Sequence, residues 1–175
     1  MRTKICIVVL IVLLSVAGCK RVNWKEFSSA NGKFSVMMPG EPQEQHETVK
    51  TAVGPVDLYM HILDVGTSAY IVGYSDYPED LIKNSEVNIL LEGARNGAIS
   101  NIRGTLVNEK DISIAGNPGK EFNFSVPKRP ELPNKGIGKS RIFLVGNRLY
   151  QCMVVGDKNT KNEDIDKFLE SFTLK

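Results

Sequence analysis

The chain is poor in the residues that most often carry chemistry. Its 175 residues include three cysteines, two histidines and one tryptophan. His46 lies in a polar stretch and His61 in an alternating apolar one. A zinc site takes three or four ligands in tetrahedral geometry, and no short-range cluster of His, Asp, Glu or Cys supplies them, so no metal and no cofactor is expected. There is no GxSxG elbow, no Cys-His pair at suggestive spacing and no carboxylate pair flanked by aromatics. The GNPG stretch at 116–119 lacks the Lys-Ser/Thr ending of a phosphate loop. Charge of one sign is also missing. Twenty-two basic residues face 20 acidic ones, a formal net charge of +2. Arg2 and Lys4 carry that excess, so the body is close to neutral. A nucleic-acid binder needs a basic face to neutralise phosphates, and none is indicated. Finally, no apolar run reaches the roughly 20 residues that a spanning helix needs.

What is present begins at the N-terminus. Arg2 and Lys4 precede an apolar run from Ile5 to Val16. Its length and flanks fit a secretory signal. The run ends in SVAGCKR, with small residues directly before Cys19. This arrangement resembles the bacterial lipobox. The resemblance implies cleavage between Gly18 and Cys19, transfer of diacylglycerol to the Cys19 sulfur and acylation of the new amino terminus. Residues 1–18 are then a lipoprotein signal peptide, and 19–27 the lipidated N-terminus and tether. Residues 28–175 form one globular domain. Two or more acyl chains hold a protein stably on a bilayer. The competing readings are an ordinary secretory signal cut near Ala17 and an uncleaved anchor. The residue after Cys19 is Lys20 rather than aspartate, which favours the outer membrane if the host has one.

Cysteine arithmetic follows. Cys6 leaves with the signal and Cys19 becomes a thioether, so Cys152 has no partner for an intramolecular disulfide. It sits in the strand-like LYQCMVV and reads as a small apolar side chain.

The body reads as strands joined by turns. In GKFSVMMPGEP, Phe34, Val36 and Met38 alternate with Ser35 and Met37 until Pro39-Gly40 stops them. EQHETVKTA is a polar strand, joined through Gly54-Pro55 to VDLYMHIL. There Val56, Leu58, Met60 and Ile62 share one face. AYIVGYSDY is apolar on both faces, so the sheet is covered on both sides. EDLIKNSEVNILLEGARNGAIS, residues 79–100, reads as one helix. Its Gly93, Ala94 and Gly97 suggest a close approach to the sheet. RGTLVNEKDISI and KEFNFSV are strands separated by Ala115–Gly119, and Phe122, Phe124 and Val126 share a face. PKRPELPNKGIG is a long polar loop. SRIFLV and RLYQCMVV form a hairpin across Gly146-Asn147. The chain closes on a helix with a Thr160/Glu163 capping box and a stripe of Ile165, Phe168, Leu169 and Phe172. The fold class is α+β, an α/β/α sandwich with a mostly antiparallel sheet of six to eight strands and two main helices.

Four stretches in this order, GKFSVMMPGEP, GNPGKEF, VGNRLYQCMVVG and DKFLESFTL, resemble a group of bacterial secreted or lipid-anchored proteins of unassigned function. The resemblance covers residues 24 to 174 and implies a PsbP-like sandwich. Its motifs are turns, strand ends and a closing helix, and they carry no chemistry. It implies an extracytoplasmic domain used for association or assembly.

The function expected is that of a lipid-anchored, non-enzymatic cell-envelope module. It is held to the membrane through lipid on Cys19 and binds or assists an envelope protein, with no nucleic-acid partner. The alternative is a carrier of a small lipophilic ligand, held between sheet and helices. No catalytic, cofactor or metal residue is assigned. Glu121, on the face opposite Phe122 and Phe124, and Arg148 read either as a pair beneath a helix or as two solvated side chains. Lys128, Arg129, Lys135, Lys139 and Arg141 surround the proline-rich loop and read as a solvated rim. DKNTKNEDID reads as a loop leading into the last helix.

Overall fold

The computed structural model describes residues 23–51, 54–128 and 135–175, the side chains of Lys50 and Thr51 excepted. Among these residues there are two sheets. The smaller joins β1 (Lys25–Ser29), β2 (Phe34–Met38) and β10 (Thr173–Leu174) in the order β1-β2-β10. The larger contains β3 (Gln43–Thr51), β4 (Gly54–Asp64), β5 (Ser68–Asp76), β6 (Thr105–Ile114), β7 (Asn117–Val126), β8 (Gly136–Val145) and β9 (Arg148–Gly156). Its order is β3-β4-β5-β9-β8-β7-β6, and every neighbouring pair is antiparallel. The helices among the described residues are α1 (Glu79–Asn84), α2 (Val87–Asn101) and α3 (Asn162–Glu170).

The sheet has a core on each face, as the two-sided apolarity of β5 requires. On one face Tyr70, Val72 and Tyr74 meet Phe34, Val36 and Met38 of the small sheet and Ile165, Phe168, Leu169 and Phe172 at α3. On the other face Phe122, Phe124 and Val126 meet Leu90, Leu91 and Ile99 of α2. Phe34 and Phe168 are fully buried, and each contributes about 2–3 kcal/mol of transfer free energy. The sandwich reading holds, with the small sheet sharing the α3 layer.

Several local expectations are corrected. The stretch 79–100 is two helices, broken where Ser85 turns extended at φ −125° and ψ 144°. Gly93 and Gly97 lie on the exposed side of α2 with open space around them, so they make no close approach. The buried side of that helix is Leu90, Leu91, Arg95 and Ile99. No capping box forms at α3, because the cap position is Lys161 and makes no side-chain bond. Thr160 instead donates its hydroxyl to the Thr67 carbonyl at 3.3 Å. Pro55 lies within β4, paired with Lys50, so the strand change falls before Gly54 rather than at Gly54-Pro55.

Two turns behave as their residues require. Ala115 and Gly116 have φ of +47° and +80° between the paired Ile114 and Asn117. Positive φ at both central positions is the geometry of a type I′ hairpin. Gly138 is needed for space, since a Cβ there would lie 2.0 Å from the Phe124 ring.

Candidate functional site

Cys19, read as the lipidated residue, and the whole segment read as a signal lie outside the described residues, and the folded chain is followed from Trp24. Trp24 and Phe27, within the stretch read as tether, are already part of the body. Phe27 packs on Phe34 and His61, at centroid distances of 6.2 and 4.7 Å. Trp24 meets Tyr70 edge-on at 5.8 Å, and the Lys167 ammonium lies 4.7 Å from its ring centroid. An aromatic pair and a cation–π contact each contribute on the order of 0.5–1 kcal/mol. The chain is thus pinned to β5 and α3 five residues after Cys19.

The charged residues singled out in the sequence come together differently from expectation. Glu121 is buried, but its partner is Arg141, directly opposite on β8. Arg141 Nε donates to Glu121 Oε2 at 2.6 Å, Lys110 Nζ lies 3.1 Å from Oε1 and Lys139 Nζ lies 3.5 Å from it. Burial pushes the Glu121 carboxyl up. The hydrogen bonds from Arg141 and Lys110, with the charges of Arg141 and Lys139, outweigh it and hold the carboxyl below its usual range. Arg141 also donates to the Leu169 carbonyl at 3.2 Å, satisfying an acceptor at the C-terminal end of α3. Lys139 bonds Asp166 at 2.8 Å. Through Arg141 and Lys139, the cluster around Glu121 is tied to α3.

Arg148 belongs elsewhere. It makes a bidentate pair with Asp76, at 2.6 and 2.7 Å, and donates to the Asn31 carbonyl at 2.8 Å. Its guanidinium stands 4.5 Å from the Tyr74 ring centroid. Of the five cations read as a solvated rim, Lys128 and Lys135 are exposed, Arg129 lies outside the described residues, and Lys139 and Arg141 are engaged internally.

The two histidines share a face of the β3–β4 pair, in diagonal positions. His46 stacks flat on Tyr59 at 4.3 Å, while His61 is buried against Phe27. Desolvation lowers the His61 pKa, and Glu44 opposes it. No group of three His, Cys, Asp or Glu side chains among the described residues could hold a metal ion. Cys152 is fully buried, and desolvation pushes its thiol far up, partly offset by Arg141. A protonated, enclosed thiol is a poor nucleophile, and the side chain acts as packing. Residues 157–161 form the expected loop into α3, with the Asp157 carboxylate accepting from the Asn159 backbone N–H at 2.7 Å.

A groove of about 420 Å³ opens between the start of α3 and the ends of β7 and β8. Phe124, Ile137 and Ile165 give it an apolar floor, Val107 forms one wall, and Lys139 and Asp166 cross its rim. The β6–β7 register shifts between Leu106 and Asn108, which leaves Val107 as the bulged residue. A bulge re-aims a side chain, and Val107 is 63% exposed. Nothing in the alternation of TLVNEKDISI signals that bulge.

These elements in this order match a solved structure. The solution structure of cyanobacterial PsbP (CyanoP) from Synechocystis sp. PCC 6803 aligns with 93% of this chain and 99% of its own, at a TM-score of 0.56 and 14% identity. The fold is PsbP-like. A crystal structure from Bacteroides thetaiotaomicron aligns with 86% of the chain at a TM-score of 0.46 and 15% identity, and the chain spans 48% of that structure's length. No protein-family model matches the chain, and neither does any curated protein. At such identity the PsbP-like match defines architecture, and function must be argued from sites.

Proposed function

We propose that this is a lipid-anchored, non-enzymatic protein of the cell envelope that binds or assists another envelope component. The observation that carries the reading is SVAGCKR behind a basic start and a dozen apolar residues, with the folded body beginning at Trp24. The lipid goes on Cys19, and the outer membrane is the destination in a host with two membranes. Several buried charged side chains serve the fold itself. Glu121, Lys120 and Arg95 are engaged in ion pairs with Arg141, Asp111 and Glu109. These pairs join strands to one another and α2 to β6.

The groove beside Val107 and Ile137 favours a second reading, a carrier of a small lipophilic ligand. Its volume falls within the range of roughly 300–1,000 Å³ typical of ligand pockets. A photo-crosslinker at Ile89, an exposed residue of α2 outside the groove, in the full-length protein in its own host, together with native mass spectrometry of the purified protein, tests both. A protein adduct that disappears in the Cys19→Ser variant supports the accessory module. A stoichiometric lipid that Val107→Glu displaces supports the carrier. An adduct and a ligand both absent refute the two readings together.

A further inference from the structure

We infer that one end of the sandwich, the end carrying Trp24, is the face this protein lays against the phospholipid surface. The inference rests on the lipid-anchor reading and adds to it an orientation. The first argument is the length of the tether. From Cys19 to Trp24 there are five residues, which span at most about 17 Å when fully extended. A domain of about 150 residues has a radius of gyration near 15 Å and so a diameter of about 40 Å. An anchor at headgroup level therefore keeps the Trp24 end close to the bilayer.

The second argument is independent of the anchor. Leu63, Tyr70, Val154, Lys139, Asn123 and Asn108 are directly paired neighbours that form one row across the large sheet. Trp24 packs on Tyr70 of that row. Six large apolar side chains are exposed by more than a third among the described residues. Four of them, Val65, Leu106, Val107 and Ile137, lie at the row or past it toward one end of the sheet. The turn at Val65, the start of β6 and the start of β8 supply them. Leu106 pairs with Phe124, and Ile137 with Gly156. Val107 and Ile137 line one groove at that end, and a contiguous apolar surface of this kind marks an interaction site. The exposed Lys158 and Lys161 of the β9–α3 loop stand at the same end beside Asp157, Glu163 and Asp164, so the charge there is mixed and the apolar residues carry the argument. The opposite end carries the turns at Ala115-Gly116 and Gly146-Asn147, about 20 Å further along the strands.

The chain's single tryptophan makes this measurable without a foreign probe. Full-length protein purified from its host is reconstituted into phosphatidylethanolamine/phosphatidylglycerol vesicles that contain a headgroup-nitroxide lipid. Fluorophores are placed separately by Lys158→Cys and Ser113→Cys, and the buried Cys152 stays unlabelled. Mass analysis of the N-terminal peptide records whether Cys19 carries lipid. The expected result is a lipidated Cys19, quenching of Trp24 and of the label at 158, and no loss of emission at 113. A lipidated Cys19 with equal quenching at 158 and 113, or with Trp24 unquenched, overturns the orientation and leaves the anchor standing. An unmodified Cys19 overturns the anchor, and the orientation falls with it.

Discussion

Replacing Glu121 with Gln keeps the shape of the side chain and removes its charge. In the native protein that carboxylate, 5% exposed, faces Arg141 at 2.6 Å, Lys110 at 3.1 Å and Lys139 at 3.5 Å. Stranding a fully buried charge costs about 3–5 kcal/mol. Here the stranding is partial. Arg141 keeps the Leu169 carbonyl, Lys139 keeps Asp166 at 2.8 Å, and Lys110 is 65% exposed. What is lost is a charge-assisted hydrogen bond in a largely desolvated place, about 2 kcal/mol. For a domain of this size that lowers the melting midpoint by about 4–8 °C. The loss also has a pH signature. The folded carboxyl titrates below its ordinary 4.5. Its stabilisation is therefore complete above that value and vanishes as pH falls through the folded pKa. Glu121→Gln and the native protein should then converge in stability at low pH. A double-mutant cycle in chemical denaturation identifies the partner. Coupling with Arg141→Met should be about 1–2 kcal/mol, while Arg148→Met should be additive within about 0.5 kcal/mol. An unchanged midpoint in Glu121→Gln, or coupling to Arg148 instead of Arg141, refutes the reasoning.

Other consequences are checked with similar means. Gly138→Ala places a methyl against the Phe124 ring and should cost about 1–3 kcal/mol, whereas Gly93→Ala, in open space on a helix, should stabilise by about 0.5–1 kcal/mol. Urea titrations that rank the two the other way contradict the packing described. His61 titrates below its ordinary 6.5 because burial disfavours its charge. The unfolded chain therefore binds the proton first, and stability should drop as pH falls below 6.5. The drop between pH 7 and 5 should be smaller in His61→Phe, and equal slopes in the two proteins would argue against a buried neutral imidazole. Cys152 should resist an aromatic disulfide reagent in the folded mature protein and react promptly in denaturant, and fast labelling of the native state would contradict its enclosure.

How far the fold was legible depends on whether a signal is local. The stripe Ile165, Phe168, Leu169 holds because a helix period fixes its own face, whereas Phe172 is buried beyond the end of α3 at Glu170, where the chain turns toward β10. The β8–β9 hairpin holds because Gly146, at φ +61°, supplies the turn between the paired Val145 and Arg148. The partner of Glu121 was not legible. Its choice depends on the β7–β8 register, and the connection between Val126 and Gly136 is too long for a turn type to fix it. Arg148 meets Asp76 through the pairing of β5 with β9, which are distant in sequence. Gly93 and Gly97 misled because a residue without a side chain carries no face preference. The two-residue β10 escaped notice because Thr173 and Leu174 have no alternation to show. The groove depends on the bulge at Val107, a feature of register rather than composition. The proposed lipid attachment at Cys19 is the reverse case, since the signal for it is wholly local and lies in SVAGC.

The most direct test of the account is the mass of the N-terminal peptide from the protein matured in its native host. The expected mature chain begins at Cys19 and carries diacylglycerol on the sulfur, with an acylated amino terminus. A mature chain that begins elsewhere, or one that begins at Cys19 with a free thiol, contradicts it.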